Sequence, residues 1–158
     1  MTFFLKSRRH LLATAGLVSV LSLAACGGGG SDSGDQATWA TVSGSTAITA
    51  LKITDTAVGT GAVATATSTV SVNYTGWLYD VRVATTQKGS QFDTGTIAPI
   101  KLGQNNLILG FEQGITGMKV GGKRTVVIPA ALAYGSQGRN TIPANAALVF
   151  DIELVSAQ

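Results

Sequence analysis

Residues 148–155 alternate with a period of two. Leu148, Phe150, Ile152 and Leu154 fall on one face, and Val149, Asp151, Glu153 and Val155 on the other. Residues 69–75 do the same, with Val70, Val72 and Tyr74 opposite Ser71, Asn73 and Thr75. That period belongs to strands with one buried face, and a sheet with one wet face favours antiparallel pairing. Lys123–Ile128 and residues 51–56 read as further strands because they are rich in β-branched side chains. Only one stretch reads as a helix: Leu107, Phe111, Ile115 and Met118 recur at spacings that share one helical face. Gly110 and Gly114 make it a poor helix on its own, so burial against the sheet must hold it. Pro129 and the 135–138 loop, with glycine at both ends, end and redirect strands. The expected class is α+β, an antiparallel β-sheet wrapped around one short α-helix.

Composition removes most catalytic chemistries. The single histidine is His10 and the single cysteine is Cys26, so the body of the chain has no imidazole and no thiol. Ser-His-Asp and Cys-His mechanisms are excluded there, as are His- or Cys-based metal sites. The eight acidic residues are scattered and no phosphate-cradling loop occurs, so no metal and no cofactor is implied. Lys6, Arg8 and Arg9 lie in the first 25 residues; without them the basic and acidic side chains balance. The high isoelectric point is therefore a property of the leader, and no nucleic-acid partner is expected.

That leader, residues 1–25, has a short basic start and an uncharged apolar run, the pattern of a secretory signal peptide. It ends Leu23-Ala24-Ala25-Cys26, which resembles a bacterial lipobox and implies acylation of Cys26. Several acyl chains anchor stably where one is marginal. Arg8-Arg9 also resembles a twin-arginine export signal, although paired arginines equally serve the general secretory route. Residues 26–45 are Gly- and Ser-rich and read as a flexible tether with a reach of about 25 Å, leaving 46–158 as the folded domain. Trp39 within the tether is expected to pack on the domain. The expected location is the cell envelope, lipid-anchored in the outer membrane and facing the periplasm, as a monomer.

Six motifs follow in a fixed order. Val72-Asn73-Tyr74-Thr75-Gly76 and Phe92-Asp93 come first, then Leu102-Gly103 with Leu107-Ile108-Leu109-Gly110-Phe111-Glu112-Gln113-Gly114. Gly117-Met118-Lys119-Val120-Gly121-Gly122-Lys123-Arg124 follows, then Ile128-Pro129 with Leu132-Ala133-Tyr134-Gly135. Ile142-Pro143-Ala144-Asn145 running into 148–154 closes the series. Together they resemble the FKBP-type peptidyl-prolyl cis-trans isomerases. The resemblance implies a β-sheet half-barrel around the helix and an isomerase acting on Xaa-Pro segments of unfolded or partly folded exported proteins.

Residue by residue, the resemblance implies an aromatic bowl. Phe111 stands as its floor, where the family usually has tryptophan. Tyr74, Phe92 and Phe150 form walls, and Leu107 and Ile108 the rim, with the Ile108 N–H donating to the peptide. The Tyr134 hydroxyl bonds a substrate carbonyl, Asp93 lies beside the amide as a partly buried carboxylate, and Thr141 and Ile142 line a mobile flap. Read without the family, the same aromatics are ordinary core, Tyr134 is a loop anchor and Asp93 a turn-former. Departures from the family pattern are Phe111, Ala98 at a commonly aromatic position, no arginine after Asp93 to partner it, and a short flap at 135–142. The stretch between Phe92-Asp93 and Leu102-Gly103 reads as shortened. The loop 80–91 is longer than in minimal members, and its Arg82 and Lys88 are candidates to influence substrate approach. The smaller floor implies weaker binding of rapamycin-type macrolides. The competing reading is a non-catalytic chaperone or peptide-binding lipoprotein that uses the same bowl.

Overall fold

The computed structural model describes residues 39–158. The signal peptide, Cys26 and the tether as far as residue 38 lie outside them. Among the described residues, 39–42 are helical, and five strands and a further α-helix follow in order: β1 (Lys52–Ala57), β2 (Thr69–Tyr79), β3 (Lys88–Lys101), α1 (Leu109–Ile115), β4 (Lys123–Ile128) and β5 (Leu148–Ala157). They form one antiparallel sheet in the order β1-β4-β5-β2-β3. The strands of clearest alternation, β5 and β2, are interior to it. Val70, Val72, Leu148, Phe150, Ile152 and Leu154 are all buried in the main core. Two residues depart from the alternation: Val149 of β5 and Tyr79 of β2, on the opposite face, are also buried, in a small second cluster with Ile48 and Ala147.

Helix α1 is shorter than the apolar spacing suggests. Leu107 precedes it and Met118 follows it, yet Phe111, Ile115 and Met118 are all buried. Its two glycines mark where it touches the sheet. A β-carbon at Gly110 would lie 2.3 Å from Ile128 Cγ2, and one at Gly114 would lie 3.0 Å from Val126 Cγ2. The residues that weaken the helix alone are those that let it approach β4. Its last turn is tied down by Arg124, which is only 8% exposed. Arg124 Nη1 donates to the Gly114 carbonyl at 2.7 Å and the Thr116 carbonyl at 3.3 Å, while Nε donates to Asp55 at 2.6 Å. A single guanidinium thus joins α1, β4 and the edge strand β1.

Three expectations need correction. First, part of the 80–91 loop is strand: 88–101 forms the long edge strand β3, which also takes in the stretch after Phe92-Asp93. Its alternation is hidden because its pairing with β2 slips between Val70 and Val72, Gly76 and Trp77, and Trp77 and Tyr79. Each slip resets which side chain faces inward. Second, residues 39–45 are not tether. Ala40, Ser43 and Ser45 are buried and Trp39 packs on the main core, as expected for that tryptophan. The serines are satisfied internally: Ser43 Oγ lies 2.9 Å from Ser45 Oγ, and the Ser43 carbonyl accepts from the Val81 N–H at 2.9 Å. Third, neither Arg82 nor Lys88 lines the expected bowl. Arg82 grips the Asp80 carboxylate at 2.7 and 2.8 Å, and Lys88 pairs with Asp151 at 2.6 Å while sitting 4.6 Å from the Trp77 ring centroid.

Candidate active site

Four rings from four elements converge at one end of the core. Phe111 of α1 and Phe150 of β5 are 3% and 5% exposed, with centroids 5.1 Å apart. Tyr74 of β2 stands edge-on to Phe111 at 5.8 Å and tilted to Phe150 at 6.2 Å, and Phe92 of β3 stands edge-on to Phe150 at 5.5 Å. Edge-to-face packing sets the positive rim of one ring against the negative face of the next. Phe92 and Phe150 come this close because Gly76 lies behind them. A β-carbon there would be 2.7 Å from an atom of each ring.

The rings bound a cavity of about 360 Å³, completed by Asp93, Leu107, Ile108 and Tyr134. Thr141 and Ile142 lie on an adjoining hollow that shares Phe92, Asp93 and Tyr134. All ten candidate residues of the folded domain are therefore assembled around one site. The structure also brings in Ile97, Asn105, Asn106 and Arg139, which the sequence reading did not select. Ile97 was hidden with the rest of β3. Arg139 had a usable signal, a cation inside the short segment linking Tyr134 to Ile142.

The polar groups divide into spent and unspent. The Tyr74 hydroxyl donates to Asp93 Oδ2 at 2.7 Å, and the Thr94 N–H donates to Asp93 Oδ1 at 2.9 Å. Asp93 is exposed rather than partly buried, and it sits in β3 opposite Gly76 rather than in a turn. An edge strand leaves its outer side in water, so the absent arginine is replaced by Tyr74 and solvent. Burial, then the hydrogen bond to Asp93 and its negative charge, push the Tyr74 phenol up to about 12. Tyr74 therefore remains a donor at neutral pH. Among the described residues, neither the Tyr134 hydroxyl nor the Ile108 N–H has a hydrogen-bond partner. Ile108 is extended immediately before α1, and its carbonyl accepts from the Phe111 and Glu112 N–H groups.

Ile142 differs from its expected place on a mobile flap. It is 7% exposed and belongs to the main core. Its N–H donates to the Arg139 carbonyl at 2.8 Å and its carbonyl accepts from the Arg139 N–H at 2.9 Å. The wet face of the sheet holds a larger hollow of about 590 Å³ lined by residues such as Asn73, Thr75, Lys88, Thr125 and Asp151. Those groups satisfy one another: Asp151 accepts from both Lys88 and Thr125, and Asn73 accepts from Thr96. It presents one aromatic ring, Tyr74, where the smaller cavity gathers four rings beside unspent donors, so the aromatic cavity is the candidate site.

A half-barrel that holds an aromatic cavity with unspent donors is the architecture of an immunophilin. Residues 61–155 match the family described as FKBP-type peptidyl-prolyl cis-trans isomerase. The chain belongs to that family. It is 43% identical over 105 residues to FK506-binding protein 3 of Candida albicans, covering 65% of this chain and 23% of that protein. It is 44% identical over 101 residues to the FKBP-type peptidyl-prolyl cis-trans isomerase FkpA of Aeromonas hydrophila, covering 64% and 35% respectively. Among solved structures, AtFKBP13 superposes with a TM-score of 0.57 at 31% identity, covering 68% of this chain and 93% of that one. The chain spans between 20% and 47% of the length of the curated relatives it matches.

Proposed function

We propose that the protein catalyses rotation about Xaa-Pro peptide bonds in exported proteins. The observation that carries this is the convergence of Tyr74, Phe92, Phe111 and Phe150 on an open cavity beside two donors left without partners. Amide resonance sets a barrier of roughly 18–20 kcal/mol, and no bond is broken in crossing it. A catalyst need only bind the twisted amide more tightly than the planar one. In this reading the proline ring rests on Phe111 between Tyr74, Phe92 and Phe150, with Leu107, Thr141 and Ile142 at the margins. The rings exclude the water that solvates the planar dipole. The Ile108 N–H and the Tyr134 hydroxyl hold the flanking carbonyls. Asp93 fixes the Tyr74 ring through its hydroxyl and so positions the wall.

The test is NMR exchange spectroscopy on Xaa-Pro peptides, which needs no coupling protease. Acceleration is expected, greatest with Leu or Phe before proline. Phe92→Ala and Tyr134→Phe should each lower kcat/KM while the domain stays folded. A folded protein with no effect on exchange would give the cavity to a non-catalytic chaperone instead. The smaller floor at Phe111 leads us to expect weak macrolide binding, tightened roughly fivefold in Phe111→Trp by the added apolar area.

The same reading puts the protein in the cell envelope as a monomer, anchored through Cys26 in the outer membrane and facing the periplasm. The lipobox-like Leu23-Ala24-Ala25-Cys26 supports it. Mass spectrometry of the mature N-terminus should find acylated Cys26, and Cys26→Ser should move the protein from the membrane to the soluble fraction.

A further inference from the structure

Among the described residues, one cation at the cavity pairs with no carboxylate. Arg139 borders both hollows of the site. Its guanidinium carbon lies 5.6 Å from the Tyr134 ring centroid. The paired hydrogen bonds to buried Ile142 fix the backbone from which it projects. Among the described residues the ion pairs are Arg82 with Asp80, Lys88 with Asp151, Lys123 with Glu153 and Arg124 with Asp55; none involves Arg139. The carboxylate bordering the same cavity, Asp93, already accepts from Tyr74 and Thr94.

A guanidinium stacked on an aromatic ring keeps its planar N–H edge available, and that edge fits a carboxylate with two parallel hydrogen bonds. We propose that Arg139 determines specificity by selecting Xaa-Pro segments with an acidic side chain adjacent to the Xaa-Pro pair. The proposal rests on the isomerase reading and adds the class of substrate preferred. The apolar residue and the proline enter the aromatic cavity, while the acidic neighbour meets Arg139 at its mouth. An exposed ion pair of this kind binds planar and twisted amides alike, so it lowers KM and leaves kcat unchanged. Its effect is a few-fold and is screened by salt.

The test uses two pairs of end-capped peptides with no other charge: acetyl-Glu-Leu-Pro-Phe-amide against its Gln counterpart, and acetyl-Leu-Pro-Glu-Phe-amide against its Gln counterpart. Exchange rates are measured at low and high salt for the wild type and Arg139→Gln. In at least one pair the Glu peptide should show a kcat/KM about three- to fivefold higher, carried by KM. That ratio should shrink with salt and fall to about one in Arg139→Gln, whatever the variant does to the neutral peptide. Equal rates in both pairs, or a ratio that survives Arg139→Gln, would overturn the proposal. If no peptide is accelerated, the isomerase reading fails by itself. The Glu-to-Gln affinity ratio from amide chemical-shift titrations then decides selectivity, and equal affinities would overturn it.

Discussion

Replacing Gly76 with alanine tests the idea that the cavity walls are held by direct contact with the strand behind them. The added β-carbon would lie 2.7 Å from Phe150 Cε1, 2.7 Å from Phe92 Cζ and 3.0 Å from Phe92 Cε2. Relaxed carbon–carbon contacts are about 3.5–4.0 Å, so both rings must retreat by roughly 1 Å. Overpacking of this kind costs about 1–3 kcal/mol, offset by about 0.5–1 kcal/mol from removing a glycine from a strand interior. The net loss is then about 0–2.5 kcal/mol, read in urea unfolding or as a melting temperature lower by up to roughly 10 °C. Displacing a reaction-site wall by this much should lower kcat/KM at least about tenfold by NMR exchange. Gly95→Ala is the control, because a β-carbon there meets only Tyr74, at 3.8 Å. A Gly76→Ala protein with both wild-type stability and wild-type turnover would show that the rings do not rest on this position. One destabilised as expected but with wild-type turnover would show that the wall placement is not what catalyses.

Three further outcomes follow from charges and hydrogen bonds. Arg124→Met strands the buried carbonyl of Gly114 and releases that of exposed Thr116, and should cost about 1–3 kcal/mol in urea unfolding, with the denaturant slope unchanged. The Arg124 hydrogen bond holds the Asp55 carboxyl below its usual value of 3.8, so that pair contributes stability above pH 3.8 and loses it as pH falls through the lower folded value. Asp55→Asn should therefore flatten part of the acid limb of a stability–pH curve, by no more than about 1 kcal/mol for so exposed a carboxylate. Tyr74 titrates in the opposite sense. Its folded value near 12 against 10.0 means that its contribution is complete below pH 10 and disappears as pH rises towards 12. Comparing ultraviolet phenolate titrations of the wild type and Tyr74→Phe should show that a transition near pH 12 is missing from the variant.

The fold was legible where one face of a strand stays in one environment along its length. β2, β4 and β5 meet that condition: Val70, Val72 and Ile152 are buried as the alternation implied, and β4, read from its β-branched content, buries Val126 and Ile128 on one face. β3 does not meet it. Its pairing slips three times, its outer edge is wet, and Pro99 sits where an edge strand tolerates a missing N–H. The helix was legible in its buried face but not in its ends. Leu107 and Met118 are apolar for reasons of packing outside the helix, so spacing alone overran it. The site was legible through its motif series, because no periodicity distinguishes an aromatic that lines a cavity from one that fills a core. Phe111 and Phe150 are both, which is why their burial alone is silent about function. Asp93 was placed correctly along the chain and wrongly in depth, since exposure depends on the neighbour that β3 lacks.

The floor and one wall of the cup are also members of the packed interior. Alterations to Phe111 or Phe150 that retune recognition must therefore also disturb folding, and natural variants at those positions face two constraints at once. The turn bearing Arg139 carries only one of them. A lineage of such proteins can drift in client preference by exchanging side chains on that turn while the hydrophobic body beneath stays fixed.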